Sequence, residues 1–153
     1  MAKFPLAEIV DAYETFKVVS DECCVSSDYN AFADLFTEDC VYVEHGFGVM
    51  HGRDAVRAWI VPLMGGDSSS NIVRYTHDWV LFDEANDRVV FCARSHMADP
   101  GDGSEHSATN WTSIDYAGNG LWSREEDIYN PATFVTLITE WQAARDAAET
   151  ANA

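Results

Sequence analysis

The sequence has few basic residues and no long apolar run. Nine Lys and Arg stand against 26 Asp and Glu, so the formal net charge is -17, and no Lys/Arg cluster offsets it locally. Such a chain repels a phosphate backbone, so neither nucleic acid nor an anionic membrane surface is an expected partner. The longest apolar stretch, near residues 58–64, is interrupted by Pro62 and is far shorter than the roughly 20 residues that span a bilayer.

Cysteine is also scarce, and its spacing carries no motif. Cys23 and Cys24 are adjacent, Cys40 and Cys92 are isolated, and no CxxC pair occurs. The pattern indicates reduced, buried thiols rather than a disulfide framework. The N-terminus has acidic residues where a secretory signal has an apolar core, so we expect a cytoplasmic protein.

The composition is that of a globular protein. Apolar residues make up 47% of the 153 residues, charged residues 23% and aromatic residues 12%, which excludes a disordered chain. A chain of this length buries a substantial core and is too short for two comfortable domains. The sequence therefore predicts one domain over residues 1–153.

Hydrophobic periodicity and turn residues predict an ordered series of elements. Apolar residues at spacings of three and four predict a first helix, a short second helix and a third helix that ends near Pro62. A Gly/Ser-rich segment follows as a loop that suits a rim or lid, and then short turns join four strands into an antiparallel meander. The predicted ranges are helix 5–22, a helix after Asp28, strand 40–45, a helix after Gly52, loop 65–70, strands 72–82, 88–98, 105–115 and 121–129, and a closing helix from Pro131.

This order predicts an α+β domain in which a curved antiparallel sheet packs on helices and encloses a conical hollow. Both alternating faces of the later strands carry apolar and aromatic residues, including Tyr75, Trp79 and Phe82. The outer face must then be covered as well, so we expect a homodimer through the outer side of the sheet.

Three segments resemble the nuclear transport factor 2-like superfamily. They are Phe32-Ala-Asp-Leu-Phe-Thr-Glu-Asp39, Val43-Glu-His-Gly-Phe-Gly48 and His51-Gly-Arg-Asp-Ala-Val-Arg-Ala-Trp59. The superfamily includes ketosteroid isomerases, scytalone dehydratases, polyketide cyclases, limonene epoxide hydrolases and non-catalytic members. The resemblance implies a cone-shaped (cystatin-like) α+β barrel over about residues 5–145, and it leaves the chemistry to be argued from the site.

The comparison with ketosteroid isomerases implies a first set of site residues. His45 stands where those enzymes carry a proton-shuttling carboxylate, and a neutral imidazole serves as a general base near pH 7. Asn110 falls where they hold a donor against the developing enolate, and its amide can make a weaker hydrogen bond of the same kind.

The comparison with scytalone dehydratases implies a second set, the histidine pair His77 and His96 on the first two strands of the meander. Those enzymes also place an aspartate after the first helix, where this sequence has Cys23, Cys24 or Val25, and Asp21 and Asp28 flank the gap. The Arg-x-Asp arrangement of the epoxide hydrolases is not evident, so epoxide opening ranks lower.

Three further residues are candidates for the hollow. Asp127 and Tyr129 are two residues apart on a predicted strand and therefore point to the same face, whereas Glu126 must point to the opposite face. From that position Asp127 can orient a cavity histidine. Tyr13 and Tyr42 are candidate phenol donors to a substrate, although each also suits a core position.

These observations predict a cofactor-independent acid/base enzyme, an isomerase, dehydratase or cyclase, for a hydrophobic carbonyl-containing small molecule. His45 and His77 are the expected base and acid, His96 an auxiliary and Asp127 an orienting group, while Tyr13, Tyr42 and Asn110 bind substrate. No metal-ligand spacing, dinucleotide loop or nucleophile elbow is present, so we expect neither metal nor cofactor. The alternative is a non-catalytic binding or dimerisation domain of the same fold.

Overall fold

A computed structural model describes residues 2–65 and 71–151. Its elements are α1 (Leu6–Ser26), α2 (Asn30–Ala33), β1 (Phe36–Glu44), β2 (Gly48–His51), α3 (Arg53–Met64), β3 (Ile72–Asp83), a 3-10 turn (Glu84–Asn86), β4 (Arg88–Met97), β5 (Ser107–Gly118), β6 (Leu121–Ile128) and α4 (Pro131–Ala151). The predicted α+β class and order are confirmed. The suggested lid over 65–70 lies almost entirely outside the described residues.

The six strands form one curved, open sheet in the order β2-β1-β6-β5-β4-β3. β3 to β6 make the predicted antiparallel meander, and β1 joins it by pairing in parallel with β6. The hairpin strand β2 was not predicted, and β1 begins at Phe36, earlier than expected. Helix α3 continues to Met64 through Pro62, because a proline in the last turn removes a single backbone hydrogen bond.

The core lies between the inner face of the sheet and the first three helices. Ile9, Tyr13 and Phe16 of α1 recur at helical spacing and are almost fully buried with Phe91 and Trp122 of the sheet. A smaller cluster joins α4 to the sheet, where Trp141 Nε1 donates to the carbonyl of Ala98 at 2.7 Å. All four cysteines are buried and free, as expected.

A bulge in β3 decides which of its side chains face inward. The register of β3 against β4 shifts between His77 and Trp79. Tyr75 and His77 therefore face the helices, whereas Trp79 packs edge-on against Trp111 on the outer face, with ring centroids 5.3 Å apart. Within the described residues, no helix has the length and apolar character to cross a bilayer.

Candidate active site

The hollow predicted beneath the curved sheet is present as a central cavity of about 320 Å³. Side chains of all four helices line it, including Phe16, Phe32, Trp59 and Leu137. Two other lining residues, Phe47 and Ile138, are 60% and 38% exposed, so the cavity reaches the surface beside them. Its size and apolar walls are typical of a small-molecule site.

Small side chains in β4 create this space. Ala93 pairs with His77 on one side and Asn110 on the other, and Ser95 occupies the next inward position. Neighbouring strands lie roughly 4.8 Å apart, so the backbones of His77 and Asn110 are separated by about 10 Å. Only the methyl group of Ala93 lies between these two side chains, which leaves room for a ligand.

Three acidic side chains enter the cavity, and we call them the carboxyl cluster: Glu44, Glu125 and Asp127. Glu125 and Asp127 lie on the inward face of β6, and Glu44 of β1 pairs with Asp127. Glu44 and Glu125 are each only 3% exposed. Burial of a carboxyl group is costly without compensation, so the hydrogen bonds of the cluster determine its charge.

The hydroxyl of Tyr42 bridges two members of the cluster. It lies 2.8 Å from Oε1 of Glu125 and 2.6 Å from Oδ2 of Asp127. A phenol has one proton to donate, so one of the two contacts requires a proton on the carboxyl group. The bridge thus holds a carboxylic acid and a carboxylate on either side of one hydroxyl.

Hydrogen-bond donors identify Asp127 as the ionised partner. Its Oδ1 accepts from Thr112 Oγ1 at 2.5 Å and from Asn110 Nδ2 at 2.9 Å, in addition to the Tyr42 contact at Oδ2. Glu125 has Tyr42 as its one partner, and its buried Oε2 has none within the part of the chain that the structure describes. We conclude that Glu125 carries the proton, since several donors favour the charged form.

Burial and neighbouring negative charge raise the pKa of both acids. Burial, reinforced by the charge of Asp127, raises the pKa of Glu125 well above its usual range. Burial also raises the pKa of Asp127, while its hydrogen bonds from Thr112 and Tyr42 oppose that rise. Such a pair supplies a general acid and a general base side by side.

Glu44, the third member, accepts hydrogen bonds from Tyr129 and from the backbone of the following turn. Tyr129 Oη donates to Oε2 at 3.1 Å, and the Gly46 amide lies 3.1 and 3.2 Å from the two carboxylate oxygens. A Cβ at residue 46 would come within 3.0 Å of the Tyr129 hydroxyl, so glycine allows this close approach.

His77 faces the cavity from the opposite side of Ala93. Its Nδ1 is hydrogen-bonded to the hydroxyl of Tyr13, and its ring stacks on Phe91 with centroids 4.4 Å apart and planes 10° apart. Burial, with a smaller contribution from Lys17, lowers the pKa of His77 to about 4. The ring is therefore neutral at pH 7. We assign the Tyr13 hydroxyl as the donor to Nδ1, which leaves the proton of the imidazole on Nε2.

Tyr75 adds a neutral hydroxyl to the same wall. Burial is the main cause of its raised pKa, and the electrostatic effects of Cys24, Asp127 and Glu125 add to the rise, whereas a hydrogen bond with Tyr29 lowers the pKa. The phenol stays protonated across the physiological range. It is thus a donor on the cavity wall, like His77 Nε2.

The structure places His45 away from this site, which corrects the expectation that His45 acts as the base opposite His77. His45 follows the inward Glu44 and points to the outer face, where its Nε2 lies 3.0 Å from Oε1 of Glu126 and its side chain is 52% exposed. The alternation of a strand puts neighbouring residues on opposite faces. The carboxylate of Glu44, rather than the imidazole of His45, enters the cavity.

His96 also lies outside the central cavity. Its Nε2 contacts Thr76 Oγ1 at 2.8 Å, and the residue borders a separate polar cleft beside His106. The two aspartates near the end of α1 do not line the cavity either. Asp21 accepts from the Tyr75 amide and Asp28 from the Asn30 amide, both near the surface.

The other residues predicted for the site lie in or beside the cavity, but their hydrogen-bond partners differ from those expected. Both amide hydrogens of Asn110 are directed to Thr112 and Asp127, so it positions the carboxylate instead of donating to a substrate. Within the described residues, Asp127 has no hydrogen bond to a histidine. Tyr42 bridges the two acids, and Tyr13 is hydrogen-bonded to His77. Sequence reasoning missed Glu44 and Glu125, although the inward parity of Tyr42 and Asp127 implies both.

A sequence model of the SnoaL-like domain matches residues 20–125, more than half of the chain. The protein therefore belongs to the SnoaL-like domain family, within the nuclear transport factor 2-like superfamily that the sequence motifs indicated. Among curated protein sequences, none gives a significant match.

Solved structures share the fold at low sequence identity. An LEH-like epoxide hydrolase of M. tuberculosis is 13% identical with a TM-score of 0.65, and the alignment covers 92% of this chain and 91% of that one. A protein of Jannaschia sp. CCS1 described as a SnoaL-like polyketide cyclase is 14% identical with a TM-score of 0.64, covering 90% and 96%. TerC, co-crystallised with polyporic acid, is 17% identical with a TM-score of 0.60, covering 86% and 98%. These similarities establish the architecture.

Proposed function

We propose that this protein is a cofactor-independent acid/base enzyme for a hydrophobic, carbonyl-containing small molecule bound in the central cavity. The observation that carries the proposal is the Tyr42 bridge between Glu125 and Asp127, which holds an acid and a base against an apolar hollow. The reaction class is isomerisation, dehydration or ring closure. The polyketide cyclase description of the Jannaschia protein supports this range of reactions.

Each group has a role that its hydrogen bonds permit. Asp127 removes a proton alpha to the substrate carbonyl and becomes neutral, so the negative charge moves to the enolate oxygen. Neutral donors then stabilise that oxygen, and His77 Nε2–H is the first candidate because Tyr13 holds its tautomer. Glu125 returns a proton to the enolate carbon in an isomerisation, or to a departing hydroxyl in a dehydration. The proton on Asp127 then passes to Glu125 through the Tyr42 hydroxyl, which restores both groups.

Hydrogen exchange in heavy water tests this proposal without knowledge of the natural substrate. A panel of apolar enones and hydroxyketones is incubated with the protein, and deuterium alpha to the carbonyl is measured by NMR. We expect exchange with wild type and its loss in Asp127→Asn. The matched control is Glu126→Gln, which changes an outward carboxylate one residue away. Tight binding without exchange contradicts the proposal and indicates a non-catalytic receptacle.

We also propose that two copies pair through the outer face of the sheet. Leu81, Trp111 and Ile128 lie there and are 64%, 56% and 54% exposed. Trp79 of β3 packs against Trp111 of β5, and Trp111 pairs with Ile128 of β6, so apolar side chains of three strands share this face. A second copy provides a matching apolar surface by symmetry.

A further inference from the structure

The charges that line the cavity are all of one sign. The carboxyl cluster contributes three acidic side chains, and none of the nine Lys and Arg residues of the chain, all of them within the described segments, lines the cavity. His77 is the one lining side chain that can become cationic, and its ring is neutral at pH 7. With Glu125 protonated, Glu44 and Asp127 leave two negative charges without an opposite charge in the cavity.

A buried acceptor in the cluster also lacks a partner. Glu125 is 3% exposed, and its Oε2 is the atom of the cluster that has no hydrogen bond in the described segments. An isolated buried acceptor is costly, and a positive charge nearby lowers that cost. The unpartnered oxygen therefore adds to the negative potential that the cluster presents to a bound ligand.

Aromatic rings line the same cavity as the carboxyl cluster. Trp59 lies 5.2 Å from the ring of Tyr42 and 5.8 Å from that of Phe47, and Tyr129 lies 5.0 Å from Phe134, as measured between ring centroids. Aromatic faces attract cations, and the attraction strengthens where water is excluded. Carboxylates among aromatic rings are therefore complementary to an organic ammonium ion.

We propose that the central cavity binds an apolar organic cation, an ammonium group on an aliphatic or aromatic body, with the nitrogen at the carboxyl cluster. As a statement about the substrate, this rests on the proposed function and narrows it to carbonyl compounds that carry a basic nitrogen. The negative charge of the carboxyl cluster disfavours ligands that are themselves anionic, such as carboxylates and phosphate esters. A cavity of about 320 Å³ accommodates a ligand of one or two rings.

Three ligands that share one body and differ in charge test the proposal: 4-phenylbutylamine, 4-phenylbutan-1-ol and 4-phenylbutyrate. Isothermal titration calorimetry at pH 7.5 gives their dissociation constants for the wild-type protein. We expect the amine to bind at least about tenfold more tightly than the alcohol, because partly buried charges a few ångströms apart interact with more than ~1.4 kcal/mol. The carboxylate should bind most weakly.

The overall charge of the chain is itself attractive to cations, so the titrations are repeated at 0.5 M NaCl. Attraction by exposed charges is screened at that ionic strength, whereas the contribution of the buried cluster persists. Asp127→Asn and Glu44→Gln should each reduce the ratio of amine to alcohol affinity severalfold. Glu126→Gln, which lies on the outer face, should leave the ratio unchanged.

Equal affinity for amine and alcohol, binding by none of the three ligands, or a preference that disappears in salt overturns the proposal. So does a preference that both cavity variants retain, because it then arises elsewhere on the protein. The wild-type comparison requires no variant, so a folding defect cannot imitate these results. Since binding is measured without turnover, its outcome is separate from the exchange assay that tests catalysis.

Discussion

Glu125 and Asp127 lie two residues apart on β6 and share one hydrogen-bond partner, the hydroxyl of Tyr42. Because that hydroxyl has a single proton, the two acids do not ionise independently, and their protons are lost in steps that belong to the pair. The structure thus couples a proton donor and a proton acceptor through one buried phenol.

Removal of this phenol should affect both stability and chemistry. In Tyr42→Phe, the two acids lose their shared partner, and we expect the free energy of unfolding to fall by about 1–3 kcal/mol. Urea unfolding measures the loss of stability. The rate of deuterium incorporation into a ketone that the wild-type protein exchanges should also fall. Tyr116→Phe is a matched control, since Tyr116 donates to Glu8 at 2.8 Å and does not line the cavity. Equal loss of exchange in both variants would contradict a specific role for the bridge.

The protonated state of Glu125 predicts the pH dependence of stability. Burial raises the pKa of Glu125 above its value in the unfolded chain. Between those two values, the folded protein holds a proton that the unfolded chain has lost. The unfolding free energy therefore decreases as pH rises through this window, by up to about 1.4 kcal/mol per pH unit.

Glu125→Gln should remove this part of the pH dependence, because glutamine keeps the neutral shape of the protonated acid. Chemical denaturation from pH 4 to pH 9 should give a flatter profile, with the variant more stable than wild type at the alkaline end. In Glu126→Gln, the slope should remain, since Arg124 and His45 lower the pKa of that half-buried carboxylate on the outer face. An unchanged slope in Glu125→Gln would show that Glu125 is ionised in the folded protein.

Local patterns predicted most of the architecture. Apolar spacing identified α1 and α3, and turn residues separated the strands of the meander, because these signals act over a few residues. The sequence could not show that β1 would pair in parallel with β6, since that contact joins residues more than 80 positions apart. The bulge after His77 is likewise a property of strand pairing, and it reversed the expected facing of Trp79.

Strand alternation explains why only part of the site was predicted. Tyr42 and His45 are three residues apart, so an extended strand cannot direct both into one cavity. Once Tyr42 is placed inside, Glu44 must follow it, and Asp127 requires Glu125 in the same way. The comparison with ketosteroid isomerases placed His45, one residue after Glu44, at the position of the proton-shuttling carboxylate. The Tyr13 contact with His77 depends on tertiary packing and has no signal in the sequence.

The Tyr13 contact predicts an unusual histidine. The pKa of His77 is lowered to about 4, chiefly by burial, and a hydroxyl that donates to Nδ1 stabilises the neutral ring further. NMR titration of the imidazole resonances should show one of the five histidines titrating far below the others, in the Nε2–H form. In Tyr13→Phe, the hydrogen bond is lost while the ring stays buried, so that pKa should rise but remain well below 6.5. A wild-type His77 that titrates near 6.5 would remove the argument for a neutral donor.

The outer face of the sheet provides the last prediction. If Trp111, which is 56% exposed, lies at the centre of a contact between two copies, a lysine there places two like charges opposite each other in an apolar interface. Sedimentation analysis should show a dimer for wild type and a monomer for Trp111→Lys. Val135→Lys is the matched control, since Val135 is 65% exposed but lies on α4, away from this face. A wild-type monomer at micromolar concentration, or a Trp111→Lys variant that remains dimeric, would contradict this assembly.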